Sequence, residues 1–447
     1  MKSDTIVAVA TPRGVGGVAV LRMSGAESRT LALRHLSAGE LHPRRATFAR
    51  FMEGDRLIDE VLATFFPAPH SYTGEDLVEL SCHGSLYVQE AILRILVDDG
   101  ARLAEAGEFT RRAFLAGKLN LSQAEAVADL IDSVTPAQHR LAVSQLRGGY
   151  ARRLADCRQQ LLDLTSLLEL ELDFSQEDVE FADRDKLLAL IDTLAAETSA
   201  LVHSFKMGNA LKMGIPVAIV GAPNVGKSTL LNALLGDDRA IVSAIPGTTR
   251  DTIEECLAIG DVSFRLVDTA GIRHTDDEVE RLGIERSRKA SEEAMVVVEV
   301  VDASQGSEAQ PSVLSADGKR HIVVYNKSDL LDGAHGVPSA QDDGTVAISL
   351  SALQGTGLDA LRKALLDAVE GGMGEHDIML SNARHYEALK RVGEALANTR
   401  QGLVGGIPSD LVAVDLRDAL YHLGTITGEV SSEDILSNIF SRFCIGK

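Results

Sequence analysis

From its start to about Lys118 the chain sets short apolar runs between Gly, Pro and Ser turns. Ile6–Ala10, Gly17–Arg22, Val61–Phe66 and Leu77–Ser81 read as strands, and Tyr87 to Asp98, apolar at helical spacing, reads as a helix. Residues 1–119 are therefore expected to form a mixed α/β module. From Asn120 the period becomes helical. Ser122 and Glu125 form a Ser-x-x-Glu capping pattern ahead of an apolar-periodic run. Leu154, Leu161, Leu164, Leu168 and Leu172 continue it, then Leu187, Leu188, Ile191 and Leu194, to about Phe205. This predicts a helical bundle over 120–213. At Gly214 strand, Gly-rich turn and helix begin to alternate, the texture of a doubly wound parallel sheet. It runs to about Val369 and ends in the Gly-rich stretch Gly371 to Gly374. Helical spacing returns over 379–447, with Ser409 and Ser431 as expected N-caps. The simplest reading is a multidomain α/β plus all-α chain in which the α/β segment 214–378 is inserted into one helical domain. Tandem separate domains are the alternative.

The length, 447 residues, fits this division, since cores rarely grow past roughly 250–300 residues. A formal net charge of -21 argues against a protein that coats nucleic acid or anionic membrane through its overall field. A nucleic-acid partner would have to meet a local basic patch, for which Arg111 and Arg112 are candidates, or be held mainly by a second protein. The 4 cysteines, Cys82, Cys157, Cys256 and Cys444, are far apart, so reduced thiols in the cytoplasm are expected rather than a disulfide or zinc framework. The first apolar run is short and broken by Pro12 and Arg13, unlike a signal peptide. No run approaches the roughly 20 apolar residues of a membrane span. Even Met295 to Val301 contains Glu299.

The chemistry lies in the third segment. Pro216 to Val220 reads as a buried strand, then comes Gly221-Ala-Pro-Asn-Val-Gly226-Lys227-Ser228, then an apolar helix through Leu235. That is the phosphate-binding loop in its required setting. Its glycines turn backbone N–H groups toward phosphates, and the helix N-terminus adds positive potential. Lys227 reaches the β- and γ-phosphates, and Ser228 places a hydroxyl on Mg²⁺. Asp268-Thr-Ala-Gly271 follows the strand Phe264 to Val267. Asp268 would act on the Mg²⁺ shell, and the Gly271 N–H meets the γ-phosphate. Asn326-Lys327-Ser328-Asp329 follows Ile322 to Tyr325. A carboxylate there accepts both N1–H and N2–H of guanine, which adenine does not offer. Asn326 would support N7, and the Lys327 stem would cover the base. Ser351-Ala352-Leu353 follows Thr345 to Ile348 and addresses O6 through its backbone. All four motifs sit at strand C-terminal ends, where doubly wound sheets bind ligands, and together they select GTP over ATP. The expected GTP contacts are Asn224, Val225, Gly226, Lys227, Ser228 and Thr229. Further along they are Ser243, Ala244, Ile245, Pro246, Gly247, Thr248 and Thr249, then Asp268, Thr269, Ala270 and Gly271. On the base side they are Asn326, Lys327, Asp329, Ser351, Ala352 and Leu353.

Hydrolysis needs an unusual arrangement. Many small GTPases place a water-orienting glutamine after Asp-x-x-Gly. Here Ile272 stands there, and the nearby acids are Asp276, Asp277, Glu278 and Glu280. Ser243 to Arg250 occupies the place of the first switch, where Thr249 would ligate Mg²⁺. Its carbonyls, with the Asn224 side chain, would hold a monovalent cation in place of an arginine finger. A plain loop hydrogen bond is the alternative for Asn224.

With these residues in hand, the chain resembles the MnmE (TrmE) family of bacterial tRNA modification GTPases. The resemblance rests on the phosphate loop, on Pro246-Gly-Thr-Thr-Arg-Asp251, on Asp268-Thr-Ala-Gly-Ile-Arg273 and on Asn-Lys-Ser-Asp. More specifically it rests on the flanks: Thr5-Ile-Val-Ala-Val-Ala-Thr-Pro-Arg-Gly, Tyr72-Thr-Gly-Glu-Asp, Gly107-Glu-Phe-Thr-Arg-Arg-Ala-Phe, Gly117-Lys-Leu-Asn-Leu and the final Phe443-Cys-Ile-Gly-Lys447. It implies an N-terminal folate-binding and dimerisation domain, a helical domain and an inserted Ras-like G domain. It also implies a homodimer, and a heterotetramer with a FAD-dependent partner that shares tRNA binding. The activity implied is potassium-dependent GTP hydrolysis, with G-domain pairing, in the addition of a carboxymethylaminomethyl group to the wobble uridine. On matching positions Arg22, Glu79, Lys118 and Lys447 would contact a tetrahydrofolate derivative, 5,10-methylene- or 5-formyl-tetrahydrofolate. Asn224, Ser243, Ile245 and Thr248 would ligate K⁺, and Glu280 would position the water. Cys444 lies near the folate by implication, as a candidate nucleophile or as a buried structural cysteine. The competing reading is a ribosome-assembly switch GTPase, which would need an RNA-binding appendage that the flanks do not show.

Overall fold

The computed structural model describes residues 4–173, 184–236, 255–267, 289–308, 319–331, 345–370, 379–441 and 443–446. They form two compact units, one of residues 1–128 with 420–447 and one of residues 129–419.

The first unit is built on a six-stranded sheet, in the order β3-β4-β5-β2-β1-β6. The strands are β1 (Ile6–Val9), β2 (Gly16–Ser24), β3 (Thr47–Glu53), β4 (Arg56–Phe66), β5 (Leu77–Gly84) and β6 (Arg102–Leu103). Pairing is antiparallel except between β1 and β6. The period of two sorts the side chains. Leu21, Met23, Phe51, Val78 and Leu80 face a core shared with Leu31 of α1 (Ser28–His35) and with Ile92, Ile95 and Leu96 of α2 (Leu86–Asp98). On the opposite face Ile6 and Ala8 pack with Phe109 of α3 (Glu108–Leu115) and with Tyr72. The start of α4 (Leu121–Asp132) packs its Leu121 and Ala124 against Leu436 and Phe440 of the C-terminal helix Glu433–Phe440, and against Phe443.

Two caps differ from expectation. At α4 the reciprocal pair is Asn120 and Gln123. Asn120 Oδ1 accepts from the Gln123 N–H at 2.8 Å, and Gln123 Oε1 accepts from the Asn120 N–H at 3.0 Å. Ser122 and Glu125 lie inside the helix, because the same spacing occurs two residues earlier. At the C-terminal helix the N-cap is Ser432, whose hydroxyl accepts from Ile435 at 3.3 Å, and not Ser431.

The second unit holds the helices α5 (Pro136–Leu146), α6 (Gly149–Asp173) and α7 (Arg184–Met213), then the nucleotide fold. Its sheet runs β12-β11-β10-β7-β9-β8. These strands are β7 (Ile215–Val220), β8 (Glu255–Ile259), β9 (Val262–Val267), β10 (Val296–Asp302), β11 (Arg320–Asn326) and β12 (Val346–Ser349). All pairs are parallel except β8 with β9. β7 and β10 are buried along their whole length, as a sheet covered on both faces requires. The helices α8 (Lys227–Leu235) and α9 (Leu358–Glu370) supply Leu230, Leu234, Leu361 and Leu365 to its core. The chain then closes the bundle with α10 (Ala383–Val404), continues as α11 (Ser409–Thr427) and ends with α12 (Glu433–Phe440). α10 lies along α7, with Phe205 stacked on Tyr386 at 4.3 Å. α7 is long and apolar enough to cross a membrane by length and composition alone. A search for unbroken apolar runs passes over it because Asp192, Glu197 and Lys206 interrupt it. Its Leu187, Ile191, Leu194 and Leu201 are buried within the protein.

Candidate nucleotide site and N-terminal ligand site

β7 ends at Val220, and the loop 221–226 turns into α8 at Lys227. The loop needs its glycines. Gly221 has φ +141, and a Cβ there would lie 2.3 Å from the Val300 carbonyl oxygen. Gly226 has φ +100, and a Cβ there would lie 2.2 Å from Asn326 Nδ2. Asn224 also adopts a left-handed conformation, φ 62, and is exposed. Lys227 folds its ammonium over the loop, donating to the Gly221 and Ala222 carbonyls at 2.8 and 2.7 Å. Burial lowers its pKa, because the ammonium is taken from water, and an anion beside it would favour the charged form again.

The base-side motifs join this loop through one side chain. Asn326, 2% exposed, donates from Nδ2 to the Val225 carbonyl at 2.8 Å and accepts at Oδ1 from the Ala352 N–H at 3.0 Å. The expected N7 contact therefore shares its amide with a bridge between three motifs. Lys327, at φ 63, donates from Nζ to Asp302 Oδ2 at 2.6 Å. Asp329 is exposed on the short turn Ser328–Leu330. Ser351 and Ala352 are buried, while Leu353 is 80% exposed. Ser228 and Thr229 open α8 beside Lys227. The remaining expected groups lie outside the described residues: Ser243, Ala244, Ile245, Pro246, Gly247, Thr248 and Thr249, then Asp268, Thr269, Ala270, Gly271 and Glu280, and Lys447.

In the first unit Arg22 and Glu79 are cross-strand partners on β2 and β5. Arg22 Nε and Nη2 donate to Glu79 Oε1 at 3.0 and 2.8 Å. The guanidinium lies 5.2 Å from the centre of the Tyr72 ring and 5.8 Å from that of Phe109. The sheet thus brings two of the expected ligand residues together on its α3 face. Lys118 comes from the turn after α3, with its stem against Gly74. It lines a cleft of about 570 Å³ with Phe114, Leu119, Asn120, Thr427 and Ser431, whose lining does not include Arg22 or Glu79. The C-terminal tail returns to β1. Ile445 bridges Ala106, and Gly446 packs against the Val9 carbonyl and Ala10. Cys444 on this tail is exposed, so the buried alternative fails.

Arg111 and Arg112 do not form a free basic patch. Arg112 pairs with Asp4, Glu75 and Glu108, and Arg111 pairs with Glu433. Two residues without an expected role join these sites, Asp302 beside Lys327 and Tyr72 beside Arg22. Asp302 ends β10 at the same sheet edge as the nucleotide motifs, and that position is the signal that marks it.

The model of the "GTP-binding protein TrmE N-terminus" matches residues 5–118, and the model of the "MnmE helical domain" matches residues 121–444. The curated tRNA modification GTPase MnmE of Porphyromonas gingivalis is 49% identical, covering 99% of this chain and 98% of that protein. The tRNA modification GTPase MnmE of Bacteroides thetaiotaomicron is 46% identical, covering 100% of each chain. That of Christiangramia forsetii is 45% identical, covering 100% of this chain and 99% of that protein. With both flanks of the nucleotide fold matched and this identity held end to end, the chain belongs to the tRNA modification GTPase MnmE family.

Proposed function

We propose that this chain hydrolyses GTP to drive modification of the tRNA wobble uridine, adding a carboxymethylaminomethyl group at C5 together with a FAD-dependent partner. The observation that carries the reading is the Asn326 bridge. One buried amide ties the phosphate loop at Val225 to the base-side loop at Ala352, so the two ends of a guanine nucleotide meet one preset frame. GTP with Mg²⁺ fits this frame, with Ser228 and Thr249 as the metal ligands. Mg²⁺ held by these hydroxyls would supply positive charge against the phosphates. Asn224, exposed at the outer turn of the loop, suits a K⁺ ligand, completed by Ser243, Ile245 and Thr248. A cation there supplies the charge of an arginine finger, and Glu280 orients the water in the place Ile272 leaves apolar.

The folate reading has its own support. A carboxylate suited to accept pterin N–H groups stands beside a guanidinium suited to an anionic tail, against two aromatic rings. In the same reading Lys118 and Lys447 would complete the ligand's contacts, with Cys444 as a neighbour. We assign residues 1–119 to the folate and dimerisation domain, 120–213 and 379–447 to the helical domain, and 214–378 to the inserted G domain. The protein acts in the cytoplasm as a homodimer. The ribosome-assembly alternative loses ground because the relatives that match end to end are tRNA modification GTPases. Nucleoside analysis of tRNA from a strain lacking the protein tests the proposal. Loss of the modified wobble uridine is expected, and an unchanged profile would overturn it.

A further inference from the structure

Lys327 reaches the nucleotide edge from a residue in the left-handed region, φ 63, on a flexible four-carbon stem. Such a side chain loses substantial rotamer freedom when it is held against a ligand. In this chain the holding is done within the protein. Asp302, the last residue of β10 and the register partner of Asn326, accepts from Lys327 Nζ at 2.6 Å through Oδ2. Its other oxygen, Oδ1, accepts from the Ser304 N–H at 3.0 Å and the Ser304 hydroxyl at 2.6 Å. The carboxylate is therefore fixed by Ser304 on one side and fixes the ammonium on the other. Its side chain is only 9% exposed, against 31% for Lys327. Burial opposes ionisation of Asp302, yet Lys327 and Ser304 hold its pKa below the ordinary value, so it carries its charge at neutral pH.

We propose that Asp302 is a positioning residue for guanine recognition, which preorders the Lys327 stem as the cover of the base. The proposal rests on the assignment of Asn326–Asp329 as the guanine-reading motif. Asp302 touches no nucleotide in this scheme. It acts through Lys327, in the way an outer carboxylate orders an inner ligand. It belongs to no local motif of its own, because its role exists only where β10 and β11 lie side by side.

The test is a double-mutant cycle on the full chain, read by binding of fluorescent GDP and by GTP turnover. Asp302→Asn keeps an acceptor for the Ser304 N–H and replaces the oxygen facing Lys327 with a donor. About tenfold weaker GDP binding is expected, with kcat at saturating GTP within about twofold of wild type. In a Lys327→Ala background, Asp302→Asn should cost nothing further. A loss of the same size in both backgrounds would make Asp302 merely structural and overturn the proposal, as would unchanged GDP binding in the single variant. Ser304→Ala is the second, milder variant, expected to weaken GDP binding about threefold through looser hold on the carboxylate. A wild-type chain that binds ADP as well as GDP would instead sink the guanine assignment itself.

Discussion

Gly226 and Asn326 approach so closely that a Cβ on the glycine would stand 2.2 Å from the asparagine side-chain nitrogen. The contact couples the phosphate loop to the base loop. Gly226→Ala must therefore displace Asn326, breaking its bonds to Val225 and Ala352, and also strain a residue at φ +100. Backbone strain of this kind costs about 1–3 kcal/mol, and a lost buried hydrogen bond costs about as much again. The variant should bind GDP at least about tenfold more weakly. Titration with fluorescent GDP checks this. Wild-type affinity would mean that the bridge is not needed.

Hydrolysis should depend on the cation. With Ile272 apolar and no arginine finger in the motifs, GTP turnover is expected to be faster in K⁺ than in Na⁺, and Asn224→Ala should erase the difference. Glu280→Ala should bind GTP but lose turnover by about 10²–10⁴-fold, the usual worth of a positioned acid–base group. Equal wild-type rates in the two salts would remove the cation, and a fully active Glu280→Ala would remove the glutamate.

The Arg22–Glu79 pair predicts a binding defect confined to folate. Arg22→Ala removes both donors from Glu79 Oε1 and one cation from the site. A charge-assisted bond contributes about 1.5–3 kcal/mol, so affinity for 5-formyl-tetrahydrofolate should fall about 10- to 100-fold. Calorimetry reads it directly, with GDP binding as the control. Unchanged folate affinity in Arg22→Ala and in Glu79→Gln would place the ligand elsewhere, the Lys118 cleft being the next candidate.

Much of this was legible along the chain, because strand and helix periods and the nucleotide motifs are local signals. β7, β9, β10 and β11 each end a visible apolar run. β3 was not legible, since Ala49 and Phe51 face the core while Phe48 on the other face is 64% exposed, which blurs the alternation. The cap of α4 lies two residues before the Ser122–Glu125 pattern because Asn120–Gln123 shares its spacing, and only the fold selects between them. The partners of Arg111 and Arg112 lie far off in sequence, so a basic pair read as a patch became a set of ion pairs.

The thiols should differ sharply in reactivity. Burial and the Asp59 charge push Cys82 up to about 11. Burial and the Glu197 carboxylate push Cys157 up to about 12. Both remain protonated at pH 8, and the thiolate is the nucleophile. Cys256 is also buried, and Cys444 alone of the four is exposed. Limited iodoacetamide at pH 8 should label Cys444 first, as mass spectrometry of peptides will show. The raised values also have a sign for stability. Thiols of the unfolded chain ionise near the ordinary 9.0, while the folded ones stay protonated. Stability should therefore fall as pH rises above about 9, because the unfolded chain then binds fewer protons. Labelling of Cys157 ahead of Cys444 would contradict the burial of the first and the exposure of the second.

The tail offers a way to separate the two sites. Gly446 has φ +100, and a Cβ there would fall 2.3 Å from the Val9 carbonyl oxygen and 3.0 Å from the Ala10 Cα. Val9 and Ala10 follow Ala8, the register partner of Arg22. Gly446→Val should therefore lift the tail from the end of β1. The nucleotide motifs lie in a different unit, built on its own core. The expected result is weaker binding of 5-formyl-tetrahydrofolate, by about tenfold if Lys447 contributes one charge-assisted contact, with GDP affinity unchanged. If folate affinity also stays at the wild-type value, the tail is a structural strap and Lys447 is no ligand. If GDP affinity falls as well, the damage is global and the two sites are not separated by this residue.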